Sequence, residues 1–162
     1  MHRRGLLTGA LALAVAFALP RGARAALAPA AGTAREEAIA AGIHRRLSRL
    51  FVFAPDRIRF GVAEEWRDHL EAVRAGRRFR DDCDGFALTA ARMALAEGVA
   101  PERTWLVYCR TERGENHLVC ALGGRHVIDN RQRTAWPWSM LPYDWLRACR
   151  MDRPFIWREI RG

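Results

Sequence analysis

Residues 81–87 read DDCDGFA, one cysteine among three carboxylates at the head of an apolar run. Asp82 is a good N-cap, and Phe86, Ala87, Ala90, Met93, Ala94 and Leu95 follow at helical spacing until Gly98 and Pro101. The pattern predicts a helix whose first residue is Cys83. A helix N-terminus carries roughly half a positive charge and favours an anion there, a thiolate included. The acids oppose that ionisation unless their carboxylates turn to cap N–H groups or to a cation. A thiol nucleophile also needs a base and a group to orient that base, and both must come from elsewhere in the chain.

Downstream the period changes. Residues 105–109, 116–122 and 125–130 are short runs rich in β-formers. Glu112–Glu115 makes one turn between them, and Gly123-Gly124 makes a tighter hairpin connection. With a two-residue connection, Asn130 faces His117 and Asp129 lies one position away. A register shift or bulge then brings the Asp129 carboxylate to the His117 ring. Such a contact would fix the tautomer and leave the other ring nitrogen facing Cys83. Taken singly, each residue has a plain account: a cysteine that packs, a strand histidine satisfied by backbone, an aspartate in a turn. Together they form nucleophile, base and orienting carboxylate, the set required for thiol-dependent acyl transfer. The backbone N–H of Cys83, at the helix start, is the candidate oxyanion donor.

Upstream, Ile39, Ile43, Leu47 and Leu50 place a helix over 34–50, and Trp66, Leu70 and Val73 place a second over 62–73, stopped by Gly76. Residues 77–80 read as an exposed linker. Pro137 and Pro142 mark a loop carrying Trp136, Trp138 and Trp145, of which Trp136 and Trp138 are candidates for a cleft wall, and Pro154–Trp157 reads as a last strand. Helices first and an antiparallel meander after them give an α+β domain. His44, beside Arg45 and Arg46, reads as lying on an exposed helix face. His69 falls on the second helix, and His126 points away from the Asp129 side. None of the three makes a metal-binding spacing.

The first 25 residues have a basic start at Arg3-Arg4, an apolar run from Leu6 to Leu19 and an exit at Ala23-Arg24-Ala25. This is the layout of an export signal cleaved after Ala25, with the paired arginines hinting at twin-arginine export. The apolar run is shorter than the roughly 20 residues of a membrane-spanning helix, so no stable membrane insertion is expected once it is removed. Residues 26–33 read as a flexible lead-in and 34–162 as one domain, expected to act as a monomer. Four of the chain's 27 basic residues and none of its 18 acidic ones lie in the signal, which leaves a net charge of +5. No block of like charges forms a nucleic-acid patch. Cys109 and Cys120 fall on strands read as neighbours, which allows one bridge outside the cytoplasm, while Cys83 is expected to be free.

DDCDGFAL, then GENHLV, HVIDN and YDWLRAC, in that order, resemble the bacterial transglutaminase-like cysteine peptidases, within the papain-like and transglutaminase-like folds. The likeness runs from Trp66 to Trp157. It implies Cys83 as nucleophile, His117 as general base and Asp129 as the residue orienting it, in an exported periplasmic or secreted enzyme. It implies a protein or peptide substrate, such as a bacterial cell-surface protein, since some members release biofilm adhesins. In those members acids flanking the cysteine bind calcium; here Asp82 and Asp84 hold the flanking positions, and Gly85 stands where another acid is usual. The triad itself requires no cofactor. Two other activities fit the same residues: a transglutaminase-like acyl transferase or deamidase, and a periplasmic binding module that keeps the fold without catalysis.

Overall fold

In the computed structural model, which describes residues 33–55 and 66–160, the chain enters α1 (Ala34–Leu50) through a capping box. The Glu36 N–H donates to Thr33 Oγ1 at 3.2 Å, and the Thr33 N–H donates to Glu36 Oε2 at 2.7 Å. Arg103 donates to the same carboxylate, 2.8 Å from Nη2 to Oε2, tying the first turn of α1 to the start of the sheet. The buried stripe of α1 is Glu36, Ala40, Ile43, His44 and Leu47. It lies one position round from the expected stripe: Ile39 and Leu50 are half-buried, and His44 turns inward instead of facing solvent. The expected export signal and nearly all of the lead-in lie outside the described residues, as does the first part of the expected second helix.

β1 (Phe51–Phe53) leaves α1 directly. The described part of the second helix is a short α2 (Leu70–Arg74), with Trp66–His69 outside it. β2 (Phe79–Asp81) pairs in parallel with β1, so the expected linker over 77–80 runs into a strand. Phe79 explains the difference. Its ring packs edge-on to Phe51 at 5.6 Å, burying a side chain that an exposed linker would leave in water. α3 (Cys83–Ala96) follows at once, with Asp82 as its N-cap.

A 3₁₀ turn at Pro101–Arg103 leads into β3 (Thr104–Arg110), β4 (Asn116–Leu122), β5 (His126–Ile128), β6 (Trp136–Pro137), β7 (Asp144–Arg150) and β8 (Arg158–Glu159). They form one antiparallel sheet in the order β6-β5-β4-β3-β7-β8. The meander was expected; two of its parts were not. Trp145 sits on β7 rather than in a loop, because β7 pairs with β3 along the edge that β4 leaves open. The strand expected over 154–157 is instead a turn, in which Phe155 has φ +65, outside any strand conformation. β8 begins only at Arg158.

The sheet has a core on each face. On one, α1 and α3 pack through Ile43, Leu47, Phe86 and Ala90 against Leu106, Leu118, Cys120 and Ile128. On the other, Val107, Cys109, Val119 and Val127 are covered by Leu141 and Tyr143, with Trp105, Trp138 and Trp145 against them. Trp138 and Trp145 meet edge to face at 6.4 Å, so they are packing residues. Cys109 and Cys120 lie on opposite faces of the sheet, which rules out the bridge between them, and all four cysteines are free. Among the described residues no helix is long and apolar enough to cross a membrane.

Candidate active site

Asp82 accepts the Asp84 N–H at 3.2 Å and so starts α3 at Cys83, as the sequence predicts. Cys83 is half-buried, and the other three cysteines are buried. His117, the second residue of β4, borders the same hollow as Cys83 and is hydrogen-bonded to Asp129. Its Nε2–H donates to Asp129 Oδ1 at 2.8 Å, which leaves Nδ1 for the sulfur. The structure therefore brings Cys83, His117 and Asp129 together.

The route to that contact differs from the expected register. The turn spans Gly123, Gly124 and Arg125, with both glycines at positive φ, and Leu122 pairs with His126. Pairing stops at Ile128 opposite Cys120. Asp129 then leaves the ladder in a turn closed by the Gln132 N–H on the Asp129 carbonyl at 3.2 Å. The carboxylate reaches His117 because the strand ends there, and no bulge in β5 is needed. A register shift does occur nearby, between Tyr108 and Cys109 of β3, and Cys109 is the residue paired with His117.

Asp129 is buried and fully engaged. Oδ1 also accepts the Arg131 N–H at 2.9 Å, and Oδ2 accepts the Tyr143 O–H at 2.7 Å. The Tyr143 oxygen in turn accepts Gln132 Nε2–H at 3.0 Å. Burial disfavours the carboxylate, but the hydrogen bonds from His117, Arg131 and Tyr143 outweigh it and hold Asp129 below the usual range. Burial likewise opposes protonation of His117; the hydrogen bonds to Asp129 and Cys83 overcome it and raise the imidazole to about 9. The pair is thus built to carry an imidazolium beside a carboxylate. Burial pushes the thiols of Cys109, Cys120 and Cys149 up, leaving them poor nucleophiles.

Sequence reasoning missed two braces of this arrangement. One is Tyr143, which lies edge-on to His117 with centroids 6.0 Å apart. The other is His44, whose Nε2 is 3.1 Å from the Asp129 carbonyl while Nδ1 is 3.3 Å from Ser48 Oγ. His44 also lies edge-on to Phe86 of α3 at 6.4 Å. It therefore touches both the helix that carries Cys83 and the turn that carries Asp129. The signal was present, since His44 falls four residues after Ala40 and three before Leu47, on the stripe that faces inward.

Among the described residues, Asp81, Asp82 and Asp84 each place a carboxylate oxygen within 4.8 Å of the others. Asp84 is buried; Oδ1 accepts the Gly85 N–H at 2.9 Å and Oδ2 has no hydrogen-bond partner. Asp81 is wholly buried and was given no role by the sequence. Its Oδ1 accepts the Asp82 N–H at 3.0 Å, and its Oδ2 meets His69 Nε2. His69 stacks on Phe79 at 4.6 Å, and its N–H donates to Thr89 of α3 at 2.9 Å. Gly85 is where it is because a Cβ there would come within 2.2 Å of the Asp81 carboxylate. As a cation site the group has hard oxygen donors and one buried oxygen without a partner, which suits calcium.

A family model described as bacterial transglutaminase-like cysteine proteinase matches residues 30–162. The chain belongs to that family. Among solved structures, the fold is similar to Legionella pneumophila LapG in its EGTA-treated form, with TM-score 0.54 and 16% identity over 69% of this chain and 62% of that one. The calcium-bound form of LapG gives TM-score 0.52 and 17% identity over 66% of this chain and 62% of that one. The chain thus spans less than two thirds of the LapG chains it matches, and at these identities the likeness is one of fold. No curated protein matches it.

Proposed function

We propose that this protein is an exported cysteine peptidase, periplasmic or secreted, that cleaves an amide bond in a protein or peptide substrate. The observation that carries the reading is that Cys83 and His117 border one hollow while His117 is hydrogen-bonded to Asp129. Cys83 sulfur attacks the scissile carbonyl while its N–H, at the positive end of α3, faces the developing oxyanion. His117 passes its proton to the leaving amine, and the C–N bond breaks to leave a thioester on Cys83. Water, deprotonated by His117, then releases the acid and restores the thiol. Asp129 holds the ring in the tautomer with hydrogen on Nε2 and stabilises the imidazolium. A bacterial cell-surface protein is the substrate class that suits an exported peptidase of this family.

Calcium forms part of this reading. Asp82 and Asp84, with Asp81 beside them, would hold it, and the partnerless Asp84 Oδ2 supports a cation there. Bound, it would offset the negative charge next to the thiol. LapG is known in calcium-bound and EGTA-treated forms, which fits such a site in this fold.

Alkylation tests the reading. Iodoacetamide near neutral pH should modify Cys83 well before Cys109, Cys120 or Cys149, and His117→Ala should abolish the preference. Uniform or absent labelling would sink the activated thiol. Surface proteins of cells carrying Cys83→Ala should then retain a species that wild-type cells release. For the metal, added calcium should raise the melting temperature of EGTA-treated protein; an unchanged melting temperature would dismiss the ion.

A further inference from the structure

Cys109 pairs with His117 near one end of β3. Toward the other end, about 13 Å along the strand, Trp105 walls a hollow of about 310 Å³. Ala148 and Arg150 of β7, Arg153 and Ile156 of the turn after it, and Arg158 of β8 line it too. It shares no lining residue with the hollow at Cys83.

The ladder explains the charge gathered there. Trp105 pairs with Arg150, Val107 with Ala148, and Ala148 with Arg158, so these side chains lie on one face of the sheet. Glu159, the acid of the lining, alternates to the opposite face, across from Arg147. Arg150 is matched by Asp152 at 3.1 Å and lies over the Trp105 ring at 5.8 Å. The guanidiniums of Arg153 and Arg158 have no hydrogen-bond or ion-pair partner among the described residues. Trp105 Nε1–H is likewise buried without a partner.

The turn is also unusual. Ile156 is 59% exposed, and Phe155 before it holds φ +65, a strained conformation for a residue with a Cβ. The Phe155 ring packs edge-on to Trp66 at 5.6 Å, which anchors the turn that brings Arg153 and Ile156 to the hollow. Strain of this kind collects at functional sites.

We propose that this hollow is an anion site, taking a phosphate or carboxylate carried on a small apolar group. Arg153 and Arg158 hold the oxyanion, and Trp105, Ala148 and Ile156 receive the apolar part. Like charges without counter-ions repel one another, and one anion between them relieves that repulsion. Guanidinium forks fit the paired oxygens of either group. The volume lies at the small end of ligand sites, which suits a compact molecule or a single headgroup. The site stands independently of the peptidase reading.

Phenyl phosphate, titrated into the full protein by calorimetry and by NMR of the indole N–H groups, tests this. It should bind at least tenfold more tightly than inorganic phosphate, phenol should not bind, and the Trp105 resonance, identified by its loss in Trp105→Phe, should shift on saturation. Arg153→Ala and Arg158→Ala should each weaken binding about tenfold at an unchanged melting temperature, and Arg158→Lys should weaken it less. Equal binding of the two phosphates, affinity unchanged in the double alanine variant, or a Trp105 resonance that stays put at saturation overturns the site. Vesicles of phosphatidylcholine with phosphatidic acid separate the two sources of such an anion. Sedimentation with them that phenyl phosphate reverses and the double variant loses supports a lipid headgroup, whereas phenyl phosphate binding without sedimentation supports a free ligand. Binding of neither probe overturns the proposal.

Discussion

The ring of His44, on the first helix, meets the backbone carbonyl of Asp129 at 3.1 Å, although 85 positions separate the two residues. The contact is buried, and Ser48 satisfies the other ring nitrogen. His44→Ala would leave a cavity and a carbonyl short of one partner, a loss of about 2–4 kcal/mol. Urea unfolding should show that loss, and the labelling rate of Cys83 should fall in the folded variant. His44→Gln, which can still donate, should recover part of both. A variant as stable and as reactive as wild type would mean that the carbonyl does not need the ring.

Tyr143→Phe removes the hydroxyl from the Asp129 site. The hydrogen bond it deletes ends on a carboxylate and is worth about 1.5–3 kcal/mol. Tyr143 is among the groups that hold Asp129 low, so its loss should raise the Asp129 pKa. The acid limb of the Cys83 alkylation profile should therefore move to higher pH. An unmoved limb would show that Tyr143 only packs.

His117 gives a prediction at the other end of the pH scale. Folding raises it from 6.5 to about 9, so the native state holds its proton more tightly than the unfolded chain. The resulting stability is complete below pH 6.5 and is lost as pH rises through 9. Wild-type melting temperature should fall across that window relative to His117→Asn, and the difference should vanish in Asp129→Asn. A constant difference from pH 6 to 10 would contradict the pairing.

Gly85→Ala should run against helix propensity. Alanine normally stabilises a helix interior by about 1 kcal/mol over glycine. Here its Cβ would sit 2.2 Å from the Asp81 carboxylate and displace a buried acid held by His69. The variant should melt lower than wild type, and Asp81→Ala should remove the penalty when the two are combined. A Gly85→Ala protein that melts higher would show that Asp81 moves aside freely.

The proposed triad was more legible than the residues that hold it. Cys83 could be placed because an N-cap aspartate and a helical apolar period are local signals, and the hairpin read across Gly123-Gly124 already brought Asp129 to within one position of His117. The turn length was misjudged by one residue: paired glycines look the same in a two- or three-residue connection, and only the ladder distinguishes them. β7 was hidden because its pairing with β3 is long-range and its seven residues include two arginines. Tyr143, although it opens YDWLRAC, and His69 gave no sign of what they hold, since each acts on partners distant in sequence. His44 is different. Its position on the buried stripe of α1 was readable, but the arginines beside it suggested water.

The three-residue turn at Gly123, Gly124 and Arg125 lies at the far end of β4 from His117. Surface turns commonly absorb insertions and deletions, but this one sets the phase of everything after it. Removing a single residue would slip β5 by one and exchange its two faces, sending Ile128 out of the helix-side core and carrying Asp129 past its histidine. The length of a glycine turn is thus a ruler for the carboxylate, and related chains that vary there should vary in paired steps or not at all.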